Sequence, residues 1–468
     1  MVNFVSKFMI NGEVIYIDDA VKNVKTYGAV GDGVTDDTAA IKNAIENGGL
    51  ILIPSGVYFI TETIEIPSNT LIFGGGTIKY LYSQNTLHSM NTKNITISGM
   101  NFSGDSAVAG DCFSVLFENC ENIKVENCVF DITRNEHSVI EFSGCSNSQI
   151  VNNNIMGYDN TGISVMDNSN NILIQNNIVK QRPDYSAYYI NTYGIVVSSM
   201  HTPYPETPEY GNKNIYCYNN QVYSHFWEAI DTHMGENIYV ENNYVNGNNG
   251  STGLNIFNDV DRNMYLKNAY VCNNVVEDCT LGELVSGDCV YHNNNKIINC
   301  ETGIRVRATT QQPTNGTINN CIINAVNGID GDIGRSKFLT IKNTELTGDG
   351  TGVGINFGTL ASLKYNPYVM VDTCVINNYT TDVQGTNIDP STYYFDASYY
   401  LKNCIFDRNK LVNGNYLICD IGLVTAPGIG KIGDVITVYT TAQNFRVLKC
   451  YRQKKGTTTA LWSDITVS

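Results

Sequence analysis

A motif of the form N-[NC]-x-[VIF], placed after a short apolar alternating stretch, recurs along most of the chain. It reads "VENCVF", "VNNNIM", "IQNNIV", "CYNNQV", "VENNYV", "VCNNVV", "INNCII", "VDTCVI" and "LKNCIF". Its slots fall at Cys128, Asn154, Asn177, Asn220, Asn243, Asn274, Cys321, Cys374 and Cys404, with weaker members at Met100, Asn295 and Asn343. Most intervals lie in the twenties and one is 43. A fixed period with strand-like content is the signature of a solenoid. Each unit holds short Val/Ile/Tyr/Phe-rich segments separated by Asn, Gly, Asp and Ser, which read as strands and turns with no helix between them. The expected fold is all-β, a parallel β-helix whose coils stack about 4.8 Å apart. Asn slots then form amide ladders. The 14 cysteines include no C-x-x-C pair, and most sit in the repeat, so they are expected as buried reduced thiols.

Net charge is −16 with a pI near 4.8, which disfavours nucleic acid and anionic membranes as partners. No run of eighteen apolar residues is present, so no membrane insertion is expected. The start, "MVNFVSKFMINGEVIYIDDA", lacks the basic and apolar regions of a secretory signal peptide, and folding in a cytosol is expected.

One strand per coil starts "G-I-x-V-x" or close to it: "GISVMD", "GIVVSS", "AIDTHM", "GLNIFN", "GIRVRA" and "GIDGDI". Alternation sends the second and fourth residues inward and the third and fifth outward. The outward columns hold Asp231, His233, Asn255, Phe257, Arg305, Arg307, Asp330 and Asp332, with Glu141 upstream. In "LGELVSGD" a register-shifting bulge would turn Glu283 outward as well. Asp231 and His233 are two strand rises apart, roughly 6–7 Å. Histidine beside a carboxylate suits acid/base catalysis, with Glu283 as a further carboxylate. Ligand binding without chemistry and an ordinary surface remain open for the pair. So does a divalent cation such as Ca held by Asp231, His233 and Asp259 or Asp261, although no ligand spacing demands one and no cofactor is called for. Arg305 and Arg307 suit an anionic group. Glu141, Asn255, Phe257 and Asp330 would line the same groove.

The 43-residue interval, Asn177 to Asn220, carries an insertion whose prolines prevent continuous ladder pairing. Its tyrosines, with Tyr188 and Tyr189 foremost, and His201 are candidate substrate contacts, since aromatic faces stack on sugar rings. A loop that covers its own coil or touches a neighbouring subunit is the alternative.

"GAVGDGVTDDTAAIKNAI" contains the one convincing amphipathic helix, from about Asp37 to Glu46, with Asp36 or Asp37 as N-cap and Gly48 as stop. This stretch resembles the opening motif of the pectate-lyase-like superfamily of right-handed parallel β-helices, and with the Asn-rich coils the resemblance covers residues 22–415. The superfamily includes polygalacturonases, pectin-type lyases and phage tailspikes and tail appendages. Its polygalacturonase motifs, N-T-D, an Asp pair, G-H-G and R-I-K, do not occur as such here. "FMINGEVIYIDD" is similar to the start of phage tail proteins. The resemblance implies a tailspike-like depolymerase on the virion tail, a homotrimer that binds and cleaves a bacterial surface polysaccharide or teichoic-acid-like wall glycopolymer. A non-catalytic glycan-binding adhesin and a cellular pectate-type lyase are the alternatives. The expected organisation is an attachment segment at 1–21, the β-helix at 22–415 with the helix capping its open end, and a small β unit at 416–468 that caps or oligomerises.

Overall fold

A computed structural model describes residues 6–10, 13–17, 21–80, 85–104, 113–132, 138–158, 160–182, 191–199, 211–224, 226–248, 250–308, 314–358, 368–385, 398–407, 410–412, 417–419, 435–441, 444–453 and 460–464. The fold is an all-β, right-handed-type parallel β-solenoid of about 12 turns with very little helix. Two compact units make up the chain, Met1–Ser251 with Asp261–Tyr265, and Thr252–Val260 with Leu266–Ser468. No described helix is long and apolar enough to cross a membrane.

In the first unit a coil is three strands separated by tight corners. Ser138–Ser143, Ser146–Val151 and Asn154–Tyr158 form one coil, and Thr161–Met166, Asn170–Gln175 and Ile178–Gln181 form the next. They pair in parallel and in register, with Glu141 on Ser164, Gln149 on Leu173 and Ile155 on Val179. Parallel pairing of consecutive coils gives every interior position a like neighbour, so Val115, Ile140, Ile163, Ile195 and Ile230 form one buried column. Phe102 stacks flat on Phe130 inside the same unit, ring centroids 4.6 Å apart.

The corners explain the asparagines. Positive-φ residues other than glycine are nearly all Asn or Asp. Their short polar side chains tolerate the left-handed region that a turn this sharp needs. Asn153, Asn177, Asn220 and Asn243 make a buried ladder in which each Nδ2 donates to the Oδ1 of the next at 3.0–3.1 Å. The rung in that coil is Asn153, not Asn154, because "VNNNIM" offers two overlapping readings and only Asn153 faces inward. Cys128 occupies the preceding rung, its N–H donating to Asn153 Oδ1 at 3.0 Å, so Cys and Asn do share a slot. Eleven cysteines, Cys120 to Cys404, are seen as free thiols, and most of these are buried.

The helix forms at Thr38–Ile45 and buries Ile41, Ala44 and Ile45. Its first N–H is capped from Asp36, whose carboxylate accepts from Thr38 N at 3.0 Å. Asp37 is the N-cap by position, yet its carboxylate instead accepts from Val30 and Gly31 and ties the glycine loop to the helix start. Near the ends, Ser6–Ile10 pairs antiparallel with Glu13–Ile17, and Val435–Thr441, Asn444–Gln453 and Ala460–Asp464 form a three-stranded antiparallel sheet.

Candidate active site

In the first unit the strands Phe113–Glu118, Ser138–Ser143, Thr161–Met166, Tyr193–Ser198 and Trp227–Thr232 stack to form one outer face. Register places Leu116, Glu141, Ser164, Val196 and Asp231 in one column on it. The alternation is as the sequence predicts, but the column is not solvated: Glu141, Ser164, Val196 and Asp231 are all at most 5% exposed. Neighbours stacked every 4.8 Å or so leave short side chains little access to water.

Asp231 and His233 meet. His233 Nε2 lies 3.0 Å from Asp231 Oδ2, with the carboxylate fully buried and the imidazole 12% exposed. On the other side Ser198 Oγ is 3.1 Å from His233 Nδ1. Tyr193 sets its ring edge-on to the imidazole, centroids 6.0 Å apart. Burial, with Asp231 and Glu228 adding negative charge, raises the Tyr193 hydroxyl far above its ordinary range, so it stays protonated. The ring is thus held from three sides with one edge towards solvent. Such an imidazole can exchange a proton with a bound substrate while the buried carboxylate fixes its orientation. Glu228, Asp231 and His233 also bring one donor atom each within 4.8 Å of one another, a set of two carboxylates and an imidazole that suits a divalent cation. Glu228, and not Asp259 or Asp261, completes that set.

Glu141 sits three coils away in the same column. Ser138 and Ser164 hydroxyls donate to its Oε2 at 3.0 and 2.6 Å. Burial outweighs these bonds, and with Asp167 and Glu118 nearby it pushes the carboxyl up to about 7 from 4.5. The folded protein therefore holds this proton more tightly than the unfolded chain. The stabilising contribution is complete below pH about 4.5 and is lost as pH rises through about 7, a change of about 3 kcal/mol. Glu141→Gln is expected to flatten that part of the stability profile in urea titrations between these pH values. An unchanged slope in the variant would refute the assignment.

Five further candidates, Asn255, Phe257, Arg305, Arg307 and Asp330, fall in the second unit. Asn255, Leu284, Arg305 and Asp330 stand in register, and Asn255 is buried. Arg305 is engaged by Asp330 through two bonds, Nε to Oδ1 at 3.0 Å and Nη2 to Oδ2 at 3.2 Å. Its charge is therefore largely balanced within the protein. Arg307 has no carboxylate partner among the described residues, and its guanidinium lies 4.6 Å above the centre of the Phe257 ring. Arg307 on Phe257 is the better-presented cation of the two.

Glu283 is not on this face. No bulge occurs in Leu281–Val285, and Glu283 pairs in register with Leu254 and Ile304, both interior. The register is pinned by glycine: a Cβ on Gly253, Gly282 or Gly303 would sit 2.5–2.6 Å from the carbonyl oxygen of the glycine in the next coil. Stacking Gly282 between Gly253 and Gly303 forces Glu283 inward. There its Oε2 meets His292 Nδ1 at 2.6 Å, and both side chains are fully buried. Glu283 therefore cannot reach a substrate. His88 bridges Glu65 and Glu118 at 2.9 and 2.8 Å. Tyr188, Tyr189 and His201 lie outside the described residues.

The sequence reading did not single out Tyr193, Glu228 or Ser198 as partners of the pair. Ser198 stood in the fifth-position column one coil before His233, and that spacing was the available signal. Tyr193 and Glu228 oppose each other one position before the glycine or alanine of the template, where the pattern is silent.

Residues 21–251 match the family model described as rhamnogalacturonase A/epimerase, pectate lyase-like. The pre-neck appendage protein of Bacillus phage phi29 is 34% identical over 134 residues, 25% of this chain and 16% of that protein. Its counterpart in Bacillus phage B103 is 49% identical over 67 residues, 14% of this chain and 8% of that protein. The chain thus aligns with only 16% or less of the length of these relatives. Among solved structures, the tailspike of E. coli bacteriophage HK620 in complex with a pentasaccharide superposes with a TM-score of 0.58 at 12% identity, over 85% of this chain and 80% of the tailspike. That likeness is one of fold. Together these findings give the chain the parallel β-helix fold, and make part of it similar to the pectate-lyase-like family model and to phage pre-neck appendage proteins.

Proposed function

We propose that the chain is the β-helix of a virion tail appendage that binds and cleaves a bacterial surface glycopolymer, with His233 transferring the proton and Asp231 holding it in place. The buried Asp231 carboxylate 3.0 Å from a partly exposed His233 carries the reading. The appendage proteins of Bacillus phages among the relatives support a virion location and point first to Gram-positive wall polymers, polysaccharide or teichoic-acid-like. Arg307 stacked on Phe257 suits an anionic group on such a polymer. In this scheme residues 1–21 attach the chain to the particle, 416–468 cap or oligomerise it, and the assembly is a homotrimer.

The test is the chain-length distribution of purified Bacillus wall glycopolymers after incubation with wild type, Asp231→Ala and His233→Ala, with and without a chelator. Shortening by the wild type alone, with binding retained in both variants, supports the proposal. Chelator-sensitive shortening would assign a cation to Glu228, Asp231 and His233. Binding by all three proteins with no shortening would mean an adhesin and end the enzymatic reading for those polymers.

A further inference from the structure

Trp227 opens the strand that leads into Asp231 and His233. It is 45% exposed and its φ is 56°. A bulky residue in the left-handed region is strained, and such strain persists where the surroundings enforce it. Only two other described residues that are neither Gly, Asn nor Asp share this conformation, Cys289 and Thr373. Both occupy coil corners where the repeat itself demands it: Cys289 stacks on Asn268, and Thr373 lies between Asn343 and Asn403. Trp227 has no such excuse. The register that pairs Tyr193 with Glu228 puts it opposite Thr192, which has no left-handed backbone.

The strained backbone holds a large apolar ring out into water on the strand that carries Asp231. Trp227 directly precedes Glu228, whose carboxylate stands within 4.8 Å of the Asp231 and His233 donor atoms and whose register partner Tyr193 packs edge-on to His233. The exposed indole thus sits at the start of the strand that carries the Glu228 and Asp231 carboxylates and leads to the partly exposed imidazole. A flat apolar face next to carboxylate and imidazole acceptors matches a pyranose ring, which is apolar on its C–H faces and polar at its rim.

We propose that Trp227 is a sugar-stacking platform that docks a saccharide ring against the Asp231–His233 site. This deepens the function proposed above and rests on it. The chain has two tryptophans, so Trp462→Phe leaves Trp227 as the sole indole reporter. That protein is titrated with purified Bacillus wall glycopolymer, following indole emission alongside sedimentation with the polymer. Emission is expected to shift and saturate with binding. Trp227→Ala is expected to weaken binding about tenfold. Trp227→Asn should weaken it equally while melting no lower than wild type, because Asn accepts the left-handed backbone. A Trp227→Asn protein that melts lower yet binds normally would make the residue structural and overturn the inference. Binding with unchanged Trp227 emission would overturn it too while leaving the proposed function standing. No binding to any wall polymer would overturn both.

Discussion

Glu283→Ala is expected to destabilise the second unit by about 3–5 kcal/mol, read as a loss in urea unfolding free energy. Glu283 and His292 are both fully buried, and their 2.6 Å bond is the main interaction each makes. A second, longer bond from Asn295 Nδ2 at 3.4 Å ties the pair to the Asn274–Asn295 ladder. Removing the carboxylate leaves an imidazole in the core with both ring nitrogens unmatched, since Nε2 already lacks a hydrogen-bond partner. It also opens a cavity, and the two losses add. The columns on either side are apolar: Leu254 and Ile304 flank Glu283, while Val271 and Ile318 flank His292. The double variant Glu283→Leu with His292→Ile therefore extends two existing hydrophobic columns. It should recover most of the stability that either single change loses, because a buried polar pair exchanged whole for apolar residues costs little. If the double variant were as unstable as the sum of the singles, the two residues would not be acting as a pair. The same negative charge, after burial, helps hold the Cys321 thiol up to about 12, so Glu283→Leu should make that thiol somewhat more acidic.

The fold was legible because stacking repeats one environment many times. A single Asn at a corner means little, but Asn177, Asn220 and Asn243 at one slot announce a ladder. The inward column of Ile163, Ile195 and Ile230 followed from alternation alone. Register within an atypical coil was harder. "LGELVSGD" shows a glycine before its apolar run, as "GIRVRA" does, and aligning Gly282 with Gly303 would have put Glu283 inside. A carboxylate normally faces water, but a buried histidine nine residues on, His292, makes the inward position tolerable. Burial of the outer face was also invisible, because alternation assigns sides and says nothing about what covers a side. The Asp231–His233 pair was legible as a two-residue spacing on one strand. Ser198 and Tyr193 join it only through the preceding coil, a contact across 35 residues in the case of Ser198 and His233, whereas Glu228 lies three residues before Asp231 on the same strand. Trp227 offered no sequence signal at all, since its distinction is a backbone angle.

Substituting His233 by Ala is expected to lower the rate of polymer cleavage by about 10²–10⁴-fold, with the affinity for the polymer little changed. That range follows from losing a positioned proton-transfer group while the other side chains of the site remain. Asp231→Asn separates the two parts of the pair. The amide can occupy the carboxylate's buried place without a large packing change, but it no longer carries charge to stabilise a protonated imidazole. Cleavage should fall by a comparable factor, and the Asp231→Asn, His233→Ala double variant should be hardly slower than His233→Ala alone, because residues that act as one unit are not additive. Ser198→Ala probes the remaining bond, at 3.1 Å to Nδ1. If Ser198 only orients the ring, its loss should reduce the rate far less than loss of His233, and Ser198→Thr should restore part of it. Initial rates on size-fractionated polymer, with binding measured on the same preparations, check all five variants. Independent, additive losses from Asp231 and His233 would show that the two residues serve separate purposes, and the site would then be a binding surface on which the proton-transfer chemistry has to be sought elsewhere.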